Sequence, residues 1–138
     1  MSLYGLSRGE AADALRDGLH VGVYGLGKMG LPLAAVFAGA GARVYGADVN
    51  TEVVDSINGG VSHIMGEPGL DELVSSVVGS GGLTASTDLA AVASDSMLHV
   101  ILVPTLVRDG VVDLSVVKSV ASKIAGGLSA GGVASGFD

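Results

Sequence analysis

Six residues, Gly25-Leu26-Gly27-Lys28-Met29-Gly30, stand between a short apolar run at 20–24 and a stretch of helix-forming residues. A strand that enters a glycine corner and leaves it as a helix has few backbone paths open to it. Gly25 permits the tight turn, Gly27 allows a ligand to approach the backbone, and Gly30 lets helix and strand pack closely. The spacing predicts a strand at 20–24, then a helix from about Met29 to Ala40, with Pro32 in its first turn, where a missing N–H costs little. A second strand, Ala42 to Ala47, follows and ends at Asp48. The amides of the first helical turn point into the corner, and the helix dipole there favours a negative charge.

A glycine pattern alone carries little weight in a chain with 23 glycines, so its surroundings decide. Asp48 lies 18 residues beyond Gly30, at the end of the second strand, where a carboxylate accepts hydrogen bonds from the hydroxyls of an adenosine ribose. The corner and the acid together suit a dinucleotide. The acid favours NAD over NADP, because a 2′-phosphate about 4 Å from it meets repulsion of roughly 1–4 kcal/mol at near-surface dielectric. Arg43 and Lys28 do not directly follow the acid, the place from which a base would receive that phosphate. The expected cofactor-binding residues are Gly25, Leu26, Gly27, Lys28, Met29, Gly30, Asp48, Val49 and Asn50. Val103, Pro104 and Thr105 join them from the end of a later strand, since the carboxyl ends of parallel strands border the ligand crevice.

The rest of the chain keeps the alternation. Ser7 to Glu10 has capping-box spacing and predicts a short helix from Arg8 to about Asp17. Thr51 to Asn58 puts Val53, Val54 and Ile57 on one helical face, and 61–69 is irregular. A helix from Leu70 to about Val78 carries the stripe Leu70, Leu73, Val74 and Val77. Leu83 to Ser86 reads as a strand, and Asp88 to Ala93 as a short helix capped by Thr87. Met97 to Val103 is nearly all apolar, as expected of a strand buried on both faces. Arg108, Asp109 and Asp113 form a polar loop; a helix then runs to about Leu128 with Val116, Val117, Val120 and Ile124 inward, and 133–135 begins a last strand. Val36 and Phe37 are expected in the core. Strands alternating with helices predict a single domain of the Rossmann type, a doubly wound parallel sheet.

Composition removes several classes of function. With no cysteine, the chain has no disulfide, thiolate metal site or thiol nucleophile. A net charge of −7 argues against a nucleic-acid partner, which requires a basic footprint. The longest apolar stretch, Met97 to Val103, is too short to cross a bilayer, so no membrane role is expected. No basic, apolar leader opens the chain, which predicts a cytoplasmic protein. His20, His63 and His99 lack partners at metal-ligand spacing; His99, inside the buried strand, reads as a satisfied core histidine. Glu67, in the irregular segment, has two open readings: a substrate-side carboxylate or a solvated loop acid.

Five stretches, in order, resemble the N-terminal NAD-binding domain of the UDP-glucose/GDP-mannose dehydrogenase family. They are Gly25 to Ala34, Gly46 to Asn50, Glu67 to Leu70, Thr87 to Leu89, and Val103 to Thr105, and the similarity covers roughly His20 to Val133. The UDP-N-acetylmannosamine and UDP-glucose types are nearest. The resemblance implies oxidation of a sugar C6 alcohol to a carboxylate, with NAD as cofactor and a nucleotide sugar as substrate of the full-length enzyme. It places Thr105 beside the nicotinamide-side ribose. The family's catalytic cysteine, lysine and acids lie C-terminal to such a domain, so these residues are expected to bind NAD without turnover. On this reading 1–19 is a helical extension and 20–138 the NAD-binding domain, with exposed apolar surface favouring homo-oligomers.

The chain departs from the family pattern at Lys28, where an aromatic residue is common, at Val53, where a base is common, and at Leu106, where a second proline is usual. The segment 135–138 does not match the family's Ser-Thr element. Two alternatives are a cofactor domain of the β-hydroxyacid or 6-phosphogluconate dehydrogenase type, and a non-catalytic nucleotide-binding module.

Overall fold

A computed structural model describes Ser7, residues 18–103 and residues 106–130. The predicted helix at 8–17, the strand at 133–135, and Pro104 and Thr105 lie outside the described residues.

Strand β1 (His20–Tyr24) alternates its side chains between two apolar environments, which explains why nearly every residue in it is buried. The turn leads into α1 (Gly30–Gly39), then β2 (Arg43–Ala47), α2 (Thr51–Asn58), α3 (Leu70–Gly79), β3 (Leu83–Ser86), α4 (Leu89–Asp95) and β4 (Leu98–Ile101). These four strands form one sheet in the order β3-β2-β1-β4, and every neighbouring pair is parallel. The chain therefore builds outward from β1 to β3 and then returns to place β4 on the other side of β1. A short antiparallel hairpin, β5 (Leu106–Arg108) with β6 (Val111–Asp113), precedes α5 (Ser115–Ala130).

Two cores result. On one face Val21, Val23, Val44 and Leu83 meet Leu31, Ala34 and Ala35 of α1, Val54 and Ile57 of α2, and Leu70, Val74 and Val77 of α3. On the other, Tyr24 and Ala47 meet Leu89, Val92 and Ala93 of α4 and Val120 and Ile124 of α5. Helices on both faces of a parallel sheet are the doubly wound arrangement expected from the sequence. Helix α5 crosses α4 closely at Gly127, where an added Cβ would stand 2.2 Å from the Ala90 carbonyl oxygen. The Asn58 side-chain amide donates to the Ala85 carbonyl and accepts from its N–H, both at 2.9 Å, and so occupies backbone groups of β3 as a neighbouring strand would.

Several expectations need correction. Helix α4 is capped by Asp88, whose carboxylate accepts from the Ala91 amide at 3.1 Å, and not by Thr87. The helix begins one residue later than the sequence suggests, at Leu89, so the residue in the capping position is Asp88. Val36 is 58% exposed and Val116 41% exposed, so neither belongs to the core. In α1 the buried residues are Gly30, Leu31, Ala34 and Ala35, which turns Val36 to the outer surface. Strand β4 is not buried on both faces: Leu98 is 46% exposed, and β4 is the edge of the sheet among the described residues. The polar loop at 108–113 is a hairpin turning at Asp109 and Gly110, whose φ values are both positive at 52° and 77°. Asp-Gly supplies that pair of conformations at little cost and matches the twist of the flanking strands.

His99 is satisfied, as expected, by a 2.8 Å hydrogen bond between its Nδ1 and the Tyr24 hydroxyl, which ties β4 to β1. Burial pushes the Tyr24 hydroxyl up and His99 down from its ordinary value of 6.5. Below about pH 6.5 the unfolded chain then binds more protons at His99 than the folded one. His99 thus adds no penalty above that pH, and stability falls as acid is added through the window beneath it. Chemical denaturation of Tyr24→Phe is expected to show a loss of about 1 kcal/mol at neutral pH. His99→Gln should flatten the decline between neutral pH and pH 5, and an unchanged acid slope would refute the assignment.

Candidate functional site

The glycine turn is fixed by contacts that explain each small residue. Gly25 has φ of +99°, and a Cβ there would stand 2.3 Å from the Leu102 carbonyl oxygen. Its amide donates to the Ala47 carbonyl at 2.8 Å, so the turn is hung on the end of β2. Leu26 is fully buried and lies over Gly46, where an added Cβ would meet its Cδ1 at 2.8 Å. Gly30 is buried under the turn, and a Cβ on it would fall 1.7 Å from the Gly25 carbonyl oxygen. Gly27 differs: it is exposed, and nothing lies within 4 Å of where its Cβ would be.

Helix α1 begins at this open place without a side-chain cap, its N-cap being Met29, and has no acidic residue in its first turn. By contrast Asn50 caps α2 and Asp88 caps α4. The first amides of an α-helix have no acceptor within the helix, and the helix dipole adds a partial positive charge there. An anion placed over Gly27 would meet both.

A crevice of about 440 Å3 opens beside the turn, lined by Gly27, Lys28, Met29, Ile101, Leu102 and Val103. It lies between the carboxyl ends of β1 and β4, where the strand order reverses. Ligands of open α/β sheets bind at such a switch point. Asp48 follows β2 on the other side of the turn and is half-buried. Its Oδ2 accepts from the Leu26 amide and its Oδ1 from the Asn50 amide, each at 2.9 Å. A carboxylate has about four acceptor positions, so one remains on each oxygen. Val49 beside it is 75% exposed.

The structure thus gathers Gly25, Leu26, Gly27, Lys28, Met29, Gly30, Asp48 and Asn50 around one turn, with Val103 across the crevice. Pro104 and Thr105 fall outside the described residues. Glu67 is exposed in the 61–69 segment and is not among the residues lining the crevice. Ile101 and Leu102 line it as well, although neither is among the residues expected from the sequence. Their position at the carboxyl end of the apolar strand was the available signal. Among the described residues no group of three or more His, Asp or Glu side chains is placed to hold a metal ion. No helix among them is long and apolar enough to cross a membrane.

Residues 19–134 match the model of the UDP-glucose/GDP-mannose dehydrogenase family, NAD binding domain. The chain belongs to this family. Among curated proteins, it is 43% identical over 112 residues to the UDP-N-acetyl-D-mannosamine dehydrogenase of Escherichia coli (strain K12), covering 80% of this chain and 26% of that one. It is 47% identical over 83 residues to the Campylobacter jejuni enzyme of the same name, covering 60% of this chain and 19% of the relative. Among solved structures, a UDP-glucose dehydrogenase from the hyperthermophilic archaeon Pyrobaculum islandicum superposes with a TM-score of 0.79 at 32% identity, over 92% of this chain and 28% of that one. The chain therefore spans about a quarter of the length of the relatives it matches, and the part it matches is the NAD-binding part. The geometry suits that cofactor: an uncovered glycine faces an uncapped helix start, and a carboxylate with spare acceptor positions stands beside the same turn.

Proposed function

We propose that this domain binds NAD across the β1–β4 switch point, as the cofactor-binding part of a dehydrogenase that oxidises the C6 alcohol of a nucleotide sugar to a carboxylate. Gly27, Lys28, Met29 and the start of α1 receive the pyrophosphate. Asp48 accepts from the adenosine ribose hydroxyls, with Val49 and Asn50 beside it, and Val103, Pro104 and Thr105 border the nicotinamide half. When bound, NAD supplies the hydride acceptor; the residues of this chain bind it, orient it and limit the water around it. The observation that carries the reading is the open space over Gly27 beside the Asp48 carboxylate.

The nucleotide-sugar substrate follows from the names of the relatives, which are UDP-N-acetyl-D-mannosamine and UDP-glucose dehydrogenases. Residues 20–138 form the cofactor domain and 1–19 an extension before it. Glu67, exposed in the 61–69 segment, keeps both of its readings, a substrate-side carboxylate of the complete enzyme and a solvated loop acid. These residues alone bind NAD without turnover, since they include no cysteine to form a thiohemiacetal. The exposed valines of the hairpin favour a homo-oligomer in the complete protein.

Isothermal titration should show NAD binding, with NADP weaker by about ten- to a thousandfold through repulsion between the 2′-phosphate and Asp48. Asp48→Ala should narrow that ratio while weakening NAD. Equal affinity for NAD and NADP in the unaltered protein would remove Asp48 from the ribose.

A further inference from the structure

Three consecutive residues at the end of β2 grip the glycine turn. Gly46 receives the Leu26 methyls, the Ala47 carbonyl accepts from the Gly25 amide at 2.8 Å, and Asp48 accepts from the Leu26 amide at 2.9 Å. Only the third of these is made by a side chain of β2's flank that also has acceptor positions left for a ligand. Its other oxygen accepts from the Asn50 amide, and Asn50 in turn accepts from the Glu52 amide at 3.0 Å, so the carboxylate is held from the α2 side as well.

We infer that Asp48 is a positioning residue for the pyrophosphate half of the site in addition to its contact with the ribose. With no ligand present, it fixes Leu26, and through Leu26 it sets the backbone of Gly27, over which the diphosphate is received. The adenosine and diphosphate halves are thereby coupled through one side chain. This rests on the assignment of NAD to the crevice and deepens it. Leu26 tolerates little drift, because its side chain is fully buried against Gly46 and its amide is tied to the carboxylate. Release of that amide frees the link between Gly25 and Gly27 while the hydrophobic contact remains, so the fold survives and the turn loosens.

The charge of Asp48 makes the test decisive in sign. A carboxylate near a diphosphate repels it, so removing the charge alone predicts tighter binding of inorganic pyrophosphate. Loss of positioning predicts weaker binding, although pyrophosphate carries no ribose. Competition of pyrophosphate against NAD should show Asp48→Ala weakened on the order of fivefold, with Asp48→Asn, which keeps one carbonyl oxygen, between it and the unaltered protein. In the ligand-free protein, amide hydrogen exchange at Leu26 should accelerate about tenfold in Asp48→Ala. Unchanged or tighter pyrophosphate binding, or unchanged exchange at Leu26, would overturn the inference. The exchange measurement needs no ligand. Failure of NAD to bind the unaltered protein would sink the cofactor assignment and leave the exchange result standing.

Discussion

Gly30→Ala is expected to destabilise the domain by about 3–5 kcal/mol, among the largest effects a single methyl group produces. The added Cβ would lie 1.7 Å from the Gly25 carbonyl oxygen, a backbone atom that cannot swing aside as a side chain does. To make room, α1 must withdraw from β1, and with it Leu31, Ala34 and Ala35 withdraw from Val21 and Val23. The alternative is a distorted turn, which would break the 3.1 Å bond from the Leu31 amide to the Gly27 carbonyl. Either route loosens the first core, and both move the helix start away from the crevice. Urea denaturation followed by circular dichroism measures the effect. A midpoint close to that of the unaltered protein would show that α1 and the turn do not approach each other as described.

Much of this fold was legible because its signals are local. The run at 20–24, the glycine corner and Asp48 fix strand, turn and strand within a few residues of one another, and β1, β2, α2 and α3 fall close to where the spacing puts them. The relation between Asp48 and Leu26 is different in kind. It joins residues 22 positions apart, and the sequence indicates only that an acid follows the second strand. Gly46 reads in the sequence as one more glycine in a strand; its reason is the Leu26 side chain that lies over it. The Asp109-Gly110 hairpin was available, since that dipeptide between apolar residues is a turn signal, and its polar neighbours concealed it. Val36 and Val116 read as inward in the sequence because an apolar residue on a helix suggests a core. Small neighbours such as Ala34 and Ala35 take the buried face of α1 instead, and a valine on the opposite side is left in solvent. Strand β4 differs for a related reason: seven nearly apolar residues describe a buried strand, while its burial depends on what stands beside it in the sheet.

Gly27→Val separates binding from folding, where Gly30→Ala weakens both. Nothing lies within 4 Å of the Cβ position at Gly27, and its φ is outside the left-handed range that resists side chains. The folded protein therefore has room for a valine, and a change in stability within about 0.5 kcal/mol is expected, as at other surface positions. The same methyl groups would occupy the space over the helix start, between the turn and the crevice lined by Met29 and Val103. A diphosphate drawn to the amides of α1 must pass through that space, and pushing it outward by a side-chain width removes several charge-assisted hydrogen bonds together. Such bonds contribute about 1.5–3 kcal/mol each, so loss of two lowers NAD affinity by roughly a hundredfold or more. Titration calorimetry of Gly27→Val beside its denaturation curve measures both quantities on one preparation. NAD affinity that survives the substitution would place the diphosphate elsewhere, and a large loss of stability would mean that the turn is more tightly enclosed than its surroundings indicate. Because the two glycines are three residues apart, opposite outcomes at them would assign one to packing and the other to the ligand.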